Sequence, residues 1–161
     1  MSSFSLPIYI MNLIIRPIAH SDYDQWLPLW RGYNAFYGRS GDTALADDIT
    51  EITWNRFFEE SEPVHALVAE SDGKILGLTH YLFHRSTTTI KPVCYLQDLF
   101  TDDSVRGKGI GRALINGVYE KAKLEGSPRV YWLTHKTNTT AMNLYDKVAE
   151  NSGFVVYRKS V

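Results

Sequence analysis

The stretch VRGKGIGRAL, residues 105–114, is the feature that most constrains how this 161-residue chain folds. Three glycines alternate with other residues among three cationic side chains, and an apolar run with helical spacing begins directly afterwards. Bare glycines let backbone N–H groups approach a ligand closely, and a helix start carries about half a positive charge. The stretch therefore predicts a strand-to-helix turn that binds an anion, and a pyrophosphate group fits it best.

Two common phosphate-binding loops have a different spacing. A P-loop needs its glycines further apart than Gly107 and Gly111, and it needs a Lys-Ser/Thr pair that is missing here. The dinucleotide fingerprint needs a third glycine where Arg112 stands. The remaining pattern is Arg-x-x-Gly-x-Gly, formed by Arg106, Gly109 and Gly111. A glycine-rich turn without any ligand is the alternative interpretation.

Hydrophobic periodicity predicts the element order β-α-α-β-β-β-α-β-α-β, which is a single mixed α/β domain over residues 1–161. The predicted strands cover residues 13–17, 64–70, 74–84, 93–101, 129–134 and 154–159, and the predicted helices cover 20–38, 49–60, 107–126 and 138–153. An Asp-Gly hairpin signal favours antiparallel pairing, and the strand-helix-strand unit over 93–134 favours a parallel crossover. Residues 1–10 precede this pattern and are a candidate dispensable extension.

Composition excludes several classes of protein. A net charge of −1 argues against a bulk nucleic-acid binder, and no apolar run reaches the ~20 residues of a membrane span. The N-terminus lacks the pattern of a secretory signal, so we expect a cytoplasmic protein. Cys94 is the only cysteine, and the histidines lack metal-ligand spacing, so we expect no metal.

The segment DLFTDDSVRGKGIGRALI resembles the acetyl-CoA signature of the GNAT superfamily of N-acetyltransferases, and the element order resembles the GNAT fold. The resemblance implies a twisted, mostly antiparallel sheet flanked by helices, with a splayed central cleft for acetyl-CoA. It also implies acetyl transfer to a primary amine of a small molecule or peptide by direct attack. The implied acetyl-CoA-binding residues are Leu99, Phe100, Thr101, Arg106, Gly107, Lys108, Gly109, Ile110, Gly111, Arg112, Asn138 and Ala141.

A second segment, NTTAMNLYDKVAENSGF, resembles the family's Asn-x-x-Ala-x-x-Leu/Phe-Tyr helix, with Tyr145 at the tyrosine position. In the family this tyrosine protonates the departing coenzyme A thiolate. A phenol with a pKa near ~10 stays protonated at neutral pH and is suited to that task. The resemblance therefore implies that Tyr145 is the general acid.

The acceptor side is less well defined. YLQDLF resembles the Glu-Asp strand of the diamine (spermidine/spermine) acetyltransferase-like branch, where Asp98 matches and Gln97 departs from the pattern. An amide is neither a base nor a partner for a cation, so a polyamine substrate and the usual base are in question. We expect Asp98 to act in catalysis, with Glu70 or no base at all as alternatives. The expected amine pocket consists of Tyr37, Gln97, Asp98 and Trp132.

Three further expectations concern assembly and the competing function classes. One alternative is an acyl-CoA-binding sensor that keeps the glycine loop without turnover, although an intact Tyr145 argues against it. The other is a non-catalytic nucleic-acid or protein-binding module, and the balanced charge argues against nucleic acid. Cys94 is expected to be a buried strand residue rather than an acyl nucleophile. Members of the resembled family often pair, so we expect a homodimer of two-fold symmetry.

Overall fold

The structure is a computed structural model that describes residues 12–161, so the candidate extension over residues 1–10 lies outside the described residues. The strands are β1 Ile14–Pro17, β2 Val64–Ser71, β3 Lys74–His84, β4 Val93–Thr101 and β5 Val130–Tyr131. The α-helices are α1 Tyr23–Phe36, α2 Asp47–Arg56, α3 Ile110–Leu124 and α4 Thr139–Val148. The expected mixed α/β fold is confirmed.

The five strands form one sheet in the order β1-β2-β3-β4-β5. The first three pairings are antiparallel, and only β4 and β5 pair in parallel, because α3 forms the crossover between them. The tight β2–β3 turn is made by Asp72 and Gly73, whose φ angles of 51° and 77° suit the predicted Asp-Gly hairpin.

An apolar cluster covers each face of the sheet, because successive strand residues point to opposite sides. On one face α3 packs against a cluster that includes Leu67, Ala69, Cys94 and Leu96. On the other face α1 and α2 contribute four aromatic residues to a cluster with Ala66 and Val68. The aromatic stripe of α1 that the sequence predicts as core therefore packs on the second face.

One extra residue in β4 reverses the face of the sheet to which the later side chains of this strand point. Tyr81 of β3 pairs with Leu96, but His80 pairs with Asp98, so Gln97 bulges out of the ladder. Before the bulge, Leu96 faces α3; after it, Asp98 lies opposite His80 on the α1 face. Phe100 also faces α1, where a Cβ added to Gly32 would lie 2.8 Å from the ring.

The bulge also marks the point where the sheet opens. β4 pairs with β5 only at Cys94 and Tyr95, so its remaining residues have no partner on that side among the described strands. A bulged strand bends, and this bend separates β4 from the chain that follows β5. The predicted strand over residues 129–134 is therefore reduced to two residues, and the splayed cleft lies beyond them.

The predicted last strand over residues 154–159 is wrong as a strand of this chain's own sheet. Those residues have no regular secondary structure and are all exposed. The chain leaves α4 at Val148 and continues away from the body of the molecule, so neither sheet edge receives it.

Candidate active site

The glycine loop lies between the end of β4 and the start of α3. A 3-10 turn at Asp103–Val105 follows β4, and the Asp102 side chain accepts a hydrogen bond from the Ser104 backbone N–H at 2.9 Å. Gly107 and Gly109 have φ angles of 77° and 82°, which L-residues with a side chain rarely adopt. No atom lies within 4 Å of a Cβ built on either glycine, so the loop borders open space.

The cations of the loop have two different roles. Arg106 forms an ion pair with Asp103 at 2.7 Å, and its guanidinium lies 5.5 Å from the centre of the Phe100 ring, so it braces the loop. Lys108 and Arg112 are exposed and form no ion pair with a described residue. Together with the unpaired N–H groups at the start of α3, these two side chains offer positive charge to an anion.

The start of α3 brings three elements together at Gly111. A Cβ added there would lie 3.4 Å from Cδ2 of Leu144 in α4 and 3.9 Å from Oγ1 of Thr101 at the end of β4. The predicted positions Leu99–Thr101 and the loop therefore adjoin α4, the helix of Tyr145. Asn138 lies just before α4 and donates a hydrogen bond to Thr134 Oγ1 at 3.2 Å, and Ala141 lies half-buried in the first turn.

Tyr145 occupies the wall of α4 that faces β5. Its ring is half-buried and makes an edge contact with Trp132 at 5.4 Å between ring centres. Burial, together with the neighbouring Tyr37, raises the pKa of Tyr145 to about 12. The hydroxyl therefore keeps its proton at neutral pH, and it makes no hydrogen bond to a described residue. It is a proton donor without a fixed acceptor among residues 12–161.

Asp98 belongs to a buried network that the bulge assembles. The Trp26 indole N–H donates to Nε2 of His80 at 3.1 Å, and Nδ1 of His80 lies 2.9 Å from an Asp98 carboxylate oxygen. An indole nitrogen is only a donor, so Nε2 must accept. The geometry therefore fixes a neutral His80 that donates from Nδ1 to Asp98, which holds the carboxylate in one orientation.

Two tyrosines at the end of α1 carry this network toward the surface. Burial first, and then the neighbouring charge of Asp98, raise the pKa of Tyr33, so its hydroxyl stays protonated near the carboxylate. Burial and the Asp98 charge also raise the pKa of Tyr37. Since Tyr37 in turn acts on Tyr145, it links the carboxylate of β4 with the phenol of α4.

A cation caps the same tyrosine pair. The Arg39 guanidinium carbon lies 5.9 Å from the Tyr33 ring centre and 5.5 Å from the Tyr37 ring centre. Its Nε donates to Asn34 Oδ1 at 2.7 Å, which leaves the two terminal nitrogens free of hydrogen bonds to described residues. Arg39 and Asn34 also line a cleft of about 780 Å³ between α1 and α2. The tyrosine pair thus has both an anion and a cation nearby.

Some of these site residues are predicted by the sequence, and others are not. Tyr37 and Asp98 come together as expected, Trp132 lies beside Tyr145, and Gln97 is exposed at the bulge. His80 is not predicted as a site residue by the sequence, because its role depends on pairing with Asp98. No local pattern indicates that pairing, because it depends on the register of two strands.

The two other residues considered for catalysis, Cys94 as a nucleophile and Glu70 as a base, have surroundings different from those of Asp98. Cys94 is buried on the α3 face, and burial raises its pKa to about 12, so the thiol is unsuited to nucleophilic attack. Glu70, the alternative base, accepts from Nε of Arg16 in an ion pair that joins β2 to β1. Within residues 12–161 no group of three or more potential metal ligands is found.

Comparison with known proteins identifies the family of the chain. Residues 24–149 match the model of the Acetyltransferase (GNAT) family. The chain belongs to this family. A relative from Saccharomyces cerevisiae, D-amino-acid N-acetyltransferase HPA3, is 31% identical over 151 residues, which cover 92% of this chain and 91% of the relative. GNAT proteins use acetyl-CoA, and the chain is an acetyltransferase.

Other relatives and solved structures agree with the family. The thialysine N-epsilon-acetyltransferase of Mus musculus is 32% identical over 114 residues, 63% of this chain and 66% of the relative. The aminoglycoside N-acetyltransferase AAC(6')-Iy, solved in complex with CoA, superposes with a TM-score of 0.71 at 19% identity, covering 92% of this chain and 95% of that chain. That likeness confirms the GNAT fold. Along residues 12–161, no helix is both long and apolar enough to cross a membrane.

Proposed function

We propose that this GNAT protein transfers an acetyl group from acetyl-CoA to the primary amine of an amino-acid-like acceptor that also carries a carboxylate. The observation that carries this proposal is the tyrosine pair Tyr33 and Tyr37, which lies near both the carboxylate of Asp98 and the guanidinium of Arg39. A zwitterionic acceptor matches those two charges. The names of two relatives, which act on a D-amino acid and on thialysine, support the same class.

The residues of the cleft fit acetyl-CoA. The open space at Gly107 and Gly109 leaves room for phosphates against backbone N–H groups, and Lys108 and Arg112 supply charge. Leu99–Thr101 have backbone groups that no described strand pairs with on the β5 side, so an extended pantetheine arm can bind there as one more strand. An N–H of this segment is placed to polarise the thioester carbonyl.

Asp98 and Arg39 divide the recognition of the acceptor between them. The carboxylate of Asp98, held by His80, attracts the ammonium group, and the proton that the amine loses before attack leaves toward this carboxylate or the solvent. Arg39 offers its two terminal nitrogens to the acceptor carboxylate as a two-pronged donor.

Acetyl-CoA supplies the activated acetyl group. The neutral acceptor nitrogen forms the new bond to the carbonyl carbon, and the carbon–sulfur bond breaks. Tyr145 donates its hydroxyl proton toward the leaving sulfur, for which its raised pKa keeps it protonated. No covalent acyl-enzyme is required, which agrees with the buried, protonated Cys94.

The test is a thiol-release assay with pairs of acceptors that differ only in the carboxylate. We expect amino acids, offered as both enantiomers, to be acetylated with a kcat/KM at least about 10-fold above that of their decarboxylated amines, the worth of one charge-assisted pairing. Polyamines, aminoglycosides and lysine peptides complete the panel, and polyamines test the resemblance to the diamine branch. Preference for a polyamine over every amino acid would reject the proposed substrate class.

Substitution of Arg39 tests the recognition of the acceptor carboxylate separately from that of its amine. Arg39→Gln should raise the KM for an amino acid, because the carboxylate of the amino acid loses its partner. The KM for the decarboxylated amine should not change, because that acceptor has no carboxylate. Arg85→Gln is the matched control, since Arg85 is exposed and unpaired among the described residues. If Arg39→Gln changes both acceptors equally, Arg39 does not bind the carboxylate.

A further inference from the structure

Two buried hydrogen bonds join Trp26, His80 and Asp98 in a chain whose direction is fixed at the Trp26 end. Trp26 is fully buried and the His80 side chain is 2% exposed, whereas the Asp98 side chain is 11% exposed. The indole N–H of Trp26 can only donate, so it occupies the lone pair of His80 Nε2. Asp98 is thus the one member of this chain that an acceptor can reach.

The indole hydrogen bond also controls the charge of His80. An imidazole beside a carboxylate readily takes a second proton, because the opposite charge favours its charged form. Here the second proton would have to bind Nε2, toward which the indole hydrogen already points. Protonation would break that bond and leave the buried Trp26 N–H without a partner, which disfavours the imidazolium by roughly 10-fold to 100-fold.

The side chains around His80 supply no competing charge. Four uncharged residues from α1, β2 and the segment after α2 lie against it: Trp26, Trp30, Ala66 and Phe57. β4 contributes Asp98, the acidic partner of His80 among the described residues. Tyr33 and Tyr37 of α1 lie near Asp98, but their raised pKa values keep both phenols protonated. The protonation of His80 therefore depends on the indole on one side and the carboxylate on the other.

We propose that Trp26 and His80 are positioning residues that keep Asp98 negatively charged for the acceptor, which rests on the role of Asp98 in the proposed function. With the indole in place, His80 stays neutral and donates one hydrogen bond from Nδ1, so the carboxylate keeps its charge for an ammonium group. An imidazolium in the same place would neutralise that charge from within the protein. Thr79 Oγ1 also donates to the Asp98 backbone carbonyl at 2.8 Å, which holds the strand where the side chain emerges.

The first experiment observes the ring nitrogens of His80 directly. In ¹⁵N NMR spectra of histidine-labelled protein, the two neutral tautomers and the imidazolium have distinct shifts, and His80→Gln assigns the signals. We expect the Nδ1–H tautomer in the wild type at about pH 7 and still at about pH 6. Trp26→Phe, whose ring has no N–H, should show an imidazolium fraction that grows as the pH falls over that range. A wild-type His80 that is an imidazolium or the Nε2–H tautomer at about pH 7 overturns the proposal.

The second experiment measures KM and kcat against pH with the acceptor of the panel above that has the highest kcat/KM. Every member of that panel carries an ammonium group, so the test does not depend on a preference for carboxylates. The KM of Trp26→Phe relative to wild type should rise at least about 10-fold from about pH 8 to about pH 6, because the imidazolium neutralises Asp98. The kcat should change by less than about threefold, because a bound ammonium displaces the extra proton from His80.

Trp30→Phe is the matched control for Trp26→Phe. It removes an indole from the same helix and the same aromatic cluster, but that indole donates to Thr50 Oγ1 at 3.2 Å rather than to His80. Its KM relative to wild type should not depend on pH. A rise in Trp30→Phe equal to that in Trp26→Phe would overturn the proposal.

Trp26→Phe combined with His80→Gln is the rescue variant. A glutamine amide can donate to Asp98 but takes no proton near neutral pH, so the pH-dependent rise of KM should disappear. A rise that persists in this double variant contradicts the proposed role of His80. The wild-type NMR spectrum needs no substitution at Trp26, so the tautomer is tested even if Trp26→Phe does not fold.

Asp98→Asn distinguishes the failure of this proposal from the failure of the proposed function. An unchanged KM in Asp98→Asn rejects the role of Asp98 in binding the acceptor, whatever the state of His80. A raised KM in Asp98→Asn, together with a pH-independent KM ratio for Trp26→Phe, overturns only the role of Trp26 and His80.

Discussion

Cys94 and Asp98 lie four residues apart on the same strand, yet they lie on opposite faces of the sheet in different chemical surroundings. Cys94 lies on the α3 face among apolar side chains, where burial raises its pKa to about 12. Asp98 lies on the α1 face, where it accepts a hydrogen bond from His80 and its charge raises the pKa of Tyr33. In an unbroken strand the two residues would share a face, because side chains alternate with a period of two.

The difference shows what the bulge at Gln97 accomplishes. Before it, β4 is paired on both sides and contributes to the apolar core. Beyond it, β4 gives up its pairing with β5 and presents a polar side chain to the α1 face and free backbone groups to the cleft. If this division is correct, substitutions beyond the bulge act on activity and substitutions before it act on stability.

Tyr145→Phe should have the largest effect on activity. Tyr145 lies on the side of the open half of β4, and the substitution removes the hydroxyl that donates the proton while keeping the ring. We expect kcat to fall by roughly 10²–10⁴-fold, the contribution of general acid catalysis, while acetyl-CoA affinity changes little. Since the pKa of Tyr145 is raised to about 12, its hydroxyl stays protonated at lower pH, and the rate should show no loss from this group up to about pH 10.

Steady-state kinetics measures the kcat of Tyr145→Phe, and calorimetry measures its affinity for acetyl-CoA. Tyr119→Phe is the control, because its hydroxyl bonds the Val148 carbonyl and its loss should lower stability by about 1 kcal/mol without changing kcat. A wild-type rate for Tyr145→Phe with a good acceptor would mean that the thiolate leaves unprotonated or takes its proton elsewhere.

Asp98→Asn should lower kcat/KM by about 10²-fold, since the amide keeps the shape and can still accept from His80 but carries no charge for the amine. The free energy of unfolding should change by less than the activity does. Glu70→Gln tests the alternative base: it should weaken the ion pair with Arg16 and lower the melting temperature while leaving kcat/KM within about twofold. If Glu70→Gln lowered kcat/KM more than Asp98→Asn, the base would be Glu70 in β2 rather than Asp98.

Gly109→Val should weaken coenzyme A binding by at least about 2 kcal/mol, roughly 30-fold, because a branched side chain enters the space where backbone meets phosphate. Gly73→Val is a close control: its φ of 77° is similar, no atom lies within 4 Å of an added Cβ, and it lies in the β2–β3 turn. Both should lose similar stability, but only Gly109→Val should lose affinity by calorimetry. Equal affinities in two folded variants would remove the phosphate role of the loop.

Cys94→Ala should have the smallest effect. The loss of one buried heavy atom on the α3 face should lower the free energy of unfolding by about 1 kcal/mol, with activity unchanged. Denaturant unfolding and thiol-release assays measure the two quantities. A tenfold loss of activity in the folded variant would show that the closed half of β4 also takes part in the chemistry.

Two of these regions could be predicted from sequence because their signals are local. The glycine loop and the helix of Tyr145 each lie within one continuous segment, so the loop was indicated by its spacing and Tyr145 by the resemblance of its segment to a family motif. The Trp26–His80–Asp98 network joins three elements that are far apart in the chain, and the register shift at Gln97 decides whether Asp98 meets His80. Neither Trp26 nor His80 carries a local pattern that distinguishes it from a core residue.

The amino-acid sequence by itself predicted the order of elements from β1 to α4, because backbone conformation and helical spacing are encoded over a few neighbouring residues. The anion-binding role of the glycine loop and the role of Tyr145 stay predictions. Only the tertiary structure decided that Asp98 lies on the α1 face, that Arg39 lies over the tyrosine pair, and that residues 154–159 lie outside the sheet. A pattern of alternating residues predicts a strand but not its partner, because strand pairing joins segments that are distant in the chain.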